Sequence, residues 1–181
     1  MRSIKLLAMS FVLILSLSAC VTPKTNRIQL DDGAVANEAR KQRELAVRNF
    51  AEQDDRLYKM AWPLLASNAD LCSDNLRRSF GFRASNIYWY GDEDHQQAAR
   101  NALEMDGNVR FITIAENSPI EKAGLQKGDI IKKINGKVMP ATKEAVQILS
   151  KIHEDDAEKM NWDFEVEKMS GETVQVAIES V

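Results

Sequence analysis

The stretch Phe111–Lys137, FITIAENSPIEKAGLQKGDIIKKINGK, decides the fold. Phe111 to Ala115 is a β-branched and aromatic run of strand length, and Asn117-Ser118-Pro119 breaks it with turn formers. Pro119 suits the first turn of a helix, where its missing N–H has no intrahelical partner, and Ser118 before it is a good N-cap. Gly124 ends that helix after one turn, because a glycine takes a positive φ without a Cβ clash. Gly128-Asp129 makes a second turn, and Ile130-Ile131-Lys132-Lys133-Ile134 reads as a strand closed by the hairpin pair Asn135-Gly136. The stretch therefore predicts strand, one helical turn, strand and tight hairpin.

In that order, Ser118, Pro119, Ala123, Gly124, Leu125, Gly128, Asp129, Ile130, Ile131, Asn135 and Gly136 resemble the central block of a PDZ domain. The resemblance implies an α+β fold, a PDZ-like partly open β-barrel or sandwich capped by two helices, here over residues 66–181. The flanking sequence agrees with it. Ala145, Ile148, Leu149 and Ile152 follow i, i+3, i+4, i+7 spacing behind Thr142, which predicts a capped amphipathic helix. Asn161–Glu167 and Thr173–Ile178 alternate around Ser170-Gly171 and read as a hairpin. Ile114, Leu125, Ile131, Ile134, Leu149, Val166 and Val176 are expected to point inward. Ile87-Tyr88-Trp89-Tyr90 reads as an aromatic strand-like run, and Asp94–Met105 as a helix with Ala98, Ala99, Ala102 and Leu103 on one face.

Phe80-Gly81-Phe82, after Arg77-Arg78-Ser79, resembles the carboxylate-binding loop of PDZ domains. A glycine between apolar residues lets the backbone aim N–H groups at one point, forming a nest for an anion, while the aromatics line a pocket for an apolar side chain. Arg78 would add positive charge. The same residues would also serve a strand that starts with its glycine at a bulge. The resemblance makes the loop strand and the later helix the two walls of a peptide groove, so Phe80, Gly81, Phe82, Ala145 and Leu149 are the candidate peptide-binding residues. A side chain at Gly81 is expected to abolish binding and leave the fold largely intact.

At 181 residues and 44% hydrophobic, the chain has length for one ordinary domain with extensions. A formal charge of −3 and no concentrated basic face argue against nucleic acid as a partner. Residues 1–19 place Arg2 and Lys5 before an apolar core, Leu6 to Leu17, as in a secretory signal peptide. Leu17-Ser18-Ala19-Cys20 resembles the lipobox of bacterial lipoproteins. That family carries acyl chains on the cysteine, here Cys20, which is the expected lipidation site and membrane anchor. Val21, not Asp, follows it, which under the sorting rule of enteric bacteria implies an outer membrane and a domain facing the periplasm. Cys72 would then be the one free thiol, expected as a buried small apolar residue. Residues 20–33 read as a tether. Residues 34–65 are rich in helix formers and put Ala39, Ala46, Phe50, Leu57, Ala61 and Leu64 near one face, with Pro63 expected to end or kink the helix.

No catalytic constellation can be assembled. His153-Glu154 lacks the second histidine of H-E-x-x-H, and neither G-x-S-x-G nor a phosphate loop occurs, so no enzyme, metal or cofactor is expected. The layout of lipobox, helix and PDZ-like block is similar to the front part of PDZ-containing zinc metallopeptidases without their catalytic domain. The sequence thus predicts a membrane-anchored module that binds extended or C-terminal peptides by strand addition, as adaptor or regulator. Its alternative is the regulatory front of a zinc metallopeptidase, truncated or working with a separate catalytic chain, and a protease is an expected partner. A scaffold role that leaves the groove unused ranks after both.

Overall fold

The computed structural model describes residues 31–71 and 78–181; Cys20 and Cys72 lie outside the described residues. The order is α1 (Asp32–Ser67), β1 (Phe82–Ser85), α2 (Glu93–Leu103), β2 (Arg110–Ile114), α3 (Pro119–Lys122), β3 (Ile130–Ile134), β4 (Lys137–Val138), α4 (Glu144–Asp155), β5 (Asn161–Glu167) and β6 (Thr173–Glu179). Five strands make an antiparallel sheet in the order β1-β2-β3-β5-β6, and β4 pairs with β3. The fold is α+β, as the sequence implies. The sheet ends are drawn together where Ser79 and Val181 exchange both backbone hydrogen bonds at 3.0 Å, which makes a partly open barrel.

The central block forms as its residues dictate. Ser118 Oγ accepts from the Glu121 N–H at 3.3 Å, and Glu121 Oε2 accepts from the Asn117 N–H at 2.6 Å, so a side chain caps α3 and the first turn is closed reciprocally. Asp129 is buried, with Oδ2 accepting from the Gln126 N–H and Oδ1 from the Met169 N–H. Its carboxylate thereby ties the turn before β3 to the β5–β6 hairpin. Asn135 and Gly136 both take positive φ, 51° and 77°, as a tight two-residue hairpin requires.

Phe80, Phe82, Val109, Phe111, Ile120, Leu125, Ile131, Ile134, Ile152, Trp162, Phe164 and Val166 form the core between the sheet and α4. Of the expected inward residues, Leu125, Ile131, Ile134 and Val166 are buried in it, while Ile114, Leu149 and Val176 are partly buried against it.

Four expectations are corrected. Ile87–Trp89 is a 3-10 turn, not a strand. Asn86, itself buried, accepts from the Tyr88 N–H and donates to the carbonyls of Gly107 and Thr142, which fixes a turn there and leaves only Ile87 of the three inside. Thr142 does not cap α4; the helix starts behind Lys143 with no side-chain cap. Pro63 does not end α1, which runs on to Ser67.

The largest correction concerns the docked face of α1. Phe50, Leu57 and Leu64, on the expected apolar stripe, are about 60% exposed or more. The helix docks through a neighbouring face, Val47, Ala51, Asp54, Tyr58 and Trp62, which also follows helical spacing. Val47 packs with Ala98, Ala99, Tyr90 and Leu103, while Arg43 pairs with Asp94 at 3.0 Å and Glu44 accepts from Asn101 at 2.7 Å. Val47, Tyr58, Trp62 and the polar groups have partners on that side, whereas Phe50, Leu57 and Leu64 stay in solvent.

Ile131 is 1% exposed at the centre of the sheet, so Ile131→Ala should lower stability by roughly 2–5 kcal/mol through lost burial and the cavity left behind. Denaturant unfolding checks this, and a midpoint equal to the parent's would contradict the core.

Candidate functional site

β1 is an edge strand, and the direction of its free hydrogen-bonding groups follows from its partner. On β2, Phe111 donates its N–H to the Asp129 carbonyl and accepts from the Gly128 N–H, so its backbone groups face away from β1. Ala84, opposite Phe111, therefore points its own backbone groups away from β2. By alternation Phe82 does the same, so Phe82 and Ala84 present N–H and C=O to the open edge.

A groove of about 360 Å³ runs between β1 and α4, lined by Phe82, Ala84 and Ser85 on one wall and Val146, Leu149 and His153 on the other. Exposed Trp89 stands in its lining. At the head of β1 a smaller cavity of about 170 Å³ adjoins Phe80, Trp162 and His153, with Arg78, Asp156 and Lys159 on its wall. Lys159 is paired with Asp156 at 2.8 Å, so the exposed Arg78 guanidinium is the cation there with no salt bridge among the described residues. Its charge favours an anionic group at this end.

The five residues expected from sequence fall into three groups. Phe82 and Leu149 line the groove and Phe80 lines the cavity at its head. Ala145 is fully buried in the core behind the wall. Gly81, at φ 77°, sits at the turn into β1, where an added Cβ would lie 2.2 Å from the Ser118 Cβ and 3.0 Å from the Trp62 ring. The expectation that a side chain at Gly81 would spare the fold is therefore corrected: the position is closed by packing as well as by φ. Sequence reading missed Val146, Ser150 and His153. With Leu149 they form their own i, i+3, i+4, i+7 stripe on α4, one residue round from the stripe that faces the core.

The second half of α1 also reaches this site. Tyr58 Oη donates to the Phe82 carbonyl at 3.1 Å, and Asp54 pairs with Arg83. Tyr58 and Trp62 stack with ring centroids 6.4 Å apart, and burial pushes the Tyr58 phenol pKa up. Both aromatics stand one helical turn apart, a spacing visible in the sequence.

Comparison with known proteins returns structural likeness alone: no family model matches, and no curated protein does. A photosystem II D1 C-terminal processing protease superposes with a TM-score of 0.38 and 13% identity over 66% of this chain and 27% of its own. An HtrA-type protease solved with a decapeptide superposes with a TM-score of 0.39 and 12% identity over 64% of this chain and 32% of its own. The chain thus spans less than a third of either protein.

The His153 ring lies 6.3 Å from Phe82 and 5.2 Å from Trp162, and the hydration lost there lowers its pKa. An NMR titration should place its midpoint below the ordinary value of about 6.5. The neutral ring is favoured in the fold, so this contribution to stability is present above about pH 6.5 and is lost as pH falls through the lowered value. A midpoint above the ordinary value would contradict the packing.

Proposed function

We propose that this chain is a membrane-anchored, periplasm-facing module that binds extended peptides, above all free C-termini, by adding them as a strand to β1. The observation that carries the reading is the open β1 edge facing α4 across an apolar groove. Strand addition uses such an edge for main-chain hydrogen bonds and such a wall for side-chain selection. Phe82 and Ala84 would supply the backbone partners, and Val146, Leu149 and Phe82 the apolar contacts. The turn at Ser79-Phe80-Gly81, with Arg78 nearby, would hold the terminal carboxylate. Anchoring at Cys20 rests on the lipobox resemblance of Leu17-Ser18-Ala19-Cys20, and the choice of outer membrane on Val21.

The groove is tested by titrating the full chain with an array of decapeptides, each made with a free and an amidated C-terminus. Free acids should bind more tightly, by about 1.5–3 kcal/mol for each charge-assisted hydrogen bond that amidation removes. Equal binding of the two forms would remove the carboxylate from the reading, and no binding would remove the groove.

Cys20→Ser should release the protein from membranes and abolish incorporation of labelled palmitate, because it takes away the thiol that the lipobox presents. Labelling equal to that of the parent would overturn the anchor.

A further inference from the structure

Strand addition at β1 needs the Phe82 carbonyl, which points to the open edge at the head of the groove. That acceptor is already engaged. Tyr58 reaches it from the second half of α1, 24 residues earlier in the chain. Asp54, one turn earlier, pairs with Arg83 of the same strand, and Trp62, one turn later, packs on Gly81. Three successive turns of α1 thus clamp the first residues of β1.

The clamp is built to come off. Over Asp54–Trp62 its contacts are a hydrogen bond, a partly exposed ion pair and the packing of Trp62 on Gly81, while Phe50, Leu57 and Leu64 face solvent. Partly exposed ion pairs add little to stability, and Asp54–Trp62, where Trp62 alone is buried, belongs to the part of a fold that opens first. None of the α1 residues lines the groove between β1 and α4, so the body of the groove stays open while its head is covered.

We propose that α1 is a built-in brake on the groove: the Tyr58 hydroxyl occupies the Phe82 acceptor in place of a peptide, and ligand binding displaces the Asp54–Trp62 segment. The inference rests on the peptide-binding reading above. A ligand then has to outcompete an intramolecular donor present at high effective concentration, so the intact chain binds more weakly than its groove alone would.

The test uses the full chain and the free-acid decapeptide array. Tyr58→Phe keeps the ring and its stacking but removes the donor, Tyr58→Ala removes both, and Leu57→Ala alters the exposed face of the same helix as a control. Tyr58→Phe should tighten binding roughly three- to tenfold, the worth of one hydrogen bond. Tyr58→Ala should tighten it at least as much, and Leu57→Ala should leave it unchanged. In the parent, saturating peptide should also speed amide exchange across Asp54–Trp62. A gain in Tyr58→Ala alone, with none in Tyr58→Phe, would overturn the hydroxyl as the competing group. Peptides that bind parent, Tyr58→Phe and Tyr58→Ala equally, with no change of exchange in α1, would overturn the brake and leave the groove standing. Binding by no variant would overturn the groove and the brake with it. Circular dichroism of Tyr58→Phe, whose ring still fills its place, confirms that the fold is retained.

Discussion

The contact between Gly81 and Ser118 is the constraint on which the rest of the fold depends. A Cβ at Gly81 would lie 2.2 Å from the Ser118 Cβ, so the turn into β1 can close on the cap of α3 only through a residue without a side chain. Backbone bonds hold the contact on both sides: the Gly81 carbonyl accepts from the Ala115 N–H and the Phe80 carbonyl from the Ile120 N–H. Ser118 is fully buried there and still caps α3, so one residue serves the helix start and the floor of the loop. The loop's direction, and with it the direction of the β1 edge, is set by this clamp. Phe80 and Phe82 then fall on either side of it into the core, against Trp162 and Phe164.

The same geometry explains why one residue type serves both packing and recognition. Phe82 packs edge-on to Phe111 and Phe164 while its backbone faces the open edge, so a change in core packing would move the hydrogen-bonding groups of the groove. Leu149 likewise has one side against the core and one on the groove wall. A groove whose walls are the outer layer of the core is pre-formed, which lowers the ordering cost that a bound strand must meet. The helix α1 adds a third wall at the head of β1 through the Tyr58 hydrogen bond, the Asp54–Arg83 pair and Trp62, while Phe50, Leu57 and Leu64 of the same helix stay in water.

Much of this was legible from residue order because it rests on local backbone chemistry. Ser118-Pro119 specifies a helix start, Gly124 and Gly128 specify positive φ, and Asn135-Gly136 specifies a tight hairpin, each within a few residues and each found in place. The inward set around Ile131 and Val166 was legible because strand alternation assigns faces without knowledge of the partner. By itself the sequence thus determined the α+β class, the central block, the closing hairpin and the strand and helix that flank the groove.

Only the tertiary structure decided which faces of these elements meet. Helical periodicity ranks faces by apolar content, but docking selects the face whose shape and polar groups have partners; so Val47, Tyr58 and Trp62 went inward on α1 and Phe50, Leu57 and Leu64 did not. On α4 two adjacent stripes both had helical spacing, and the sheet assigned Ala145 and Ile152 to the core and Val146 and His153 to the groove. Asn86 turned an apparent strand into a 3-10 turn by bonding carbonyls at Gly107 and Thr142, which are distant in sequence. The hydrogen bond from Tyr58 to Phe82 spans 24 residues and joins a helix to a strand edge. No local pattern encodes such a pairing, because its free energy arises only once the two elements are packed together.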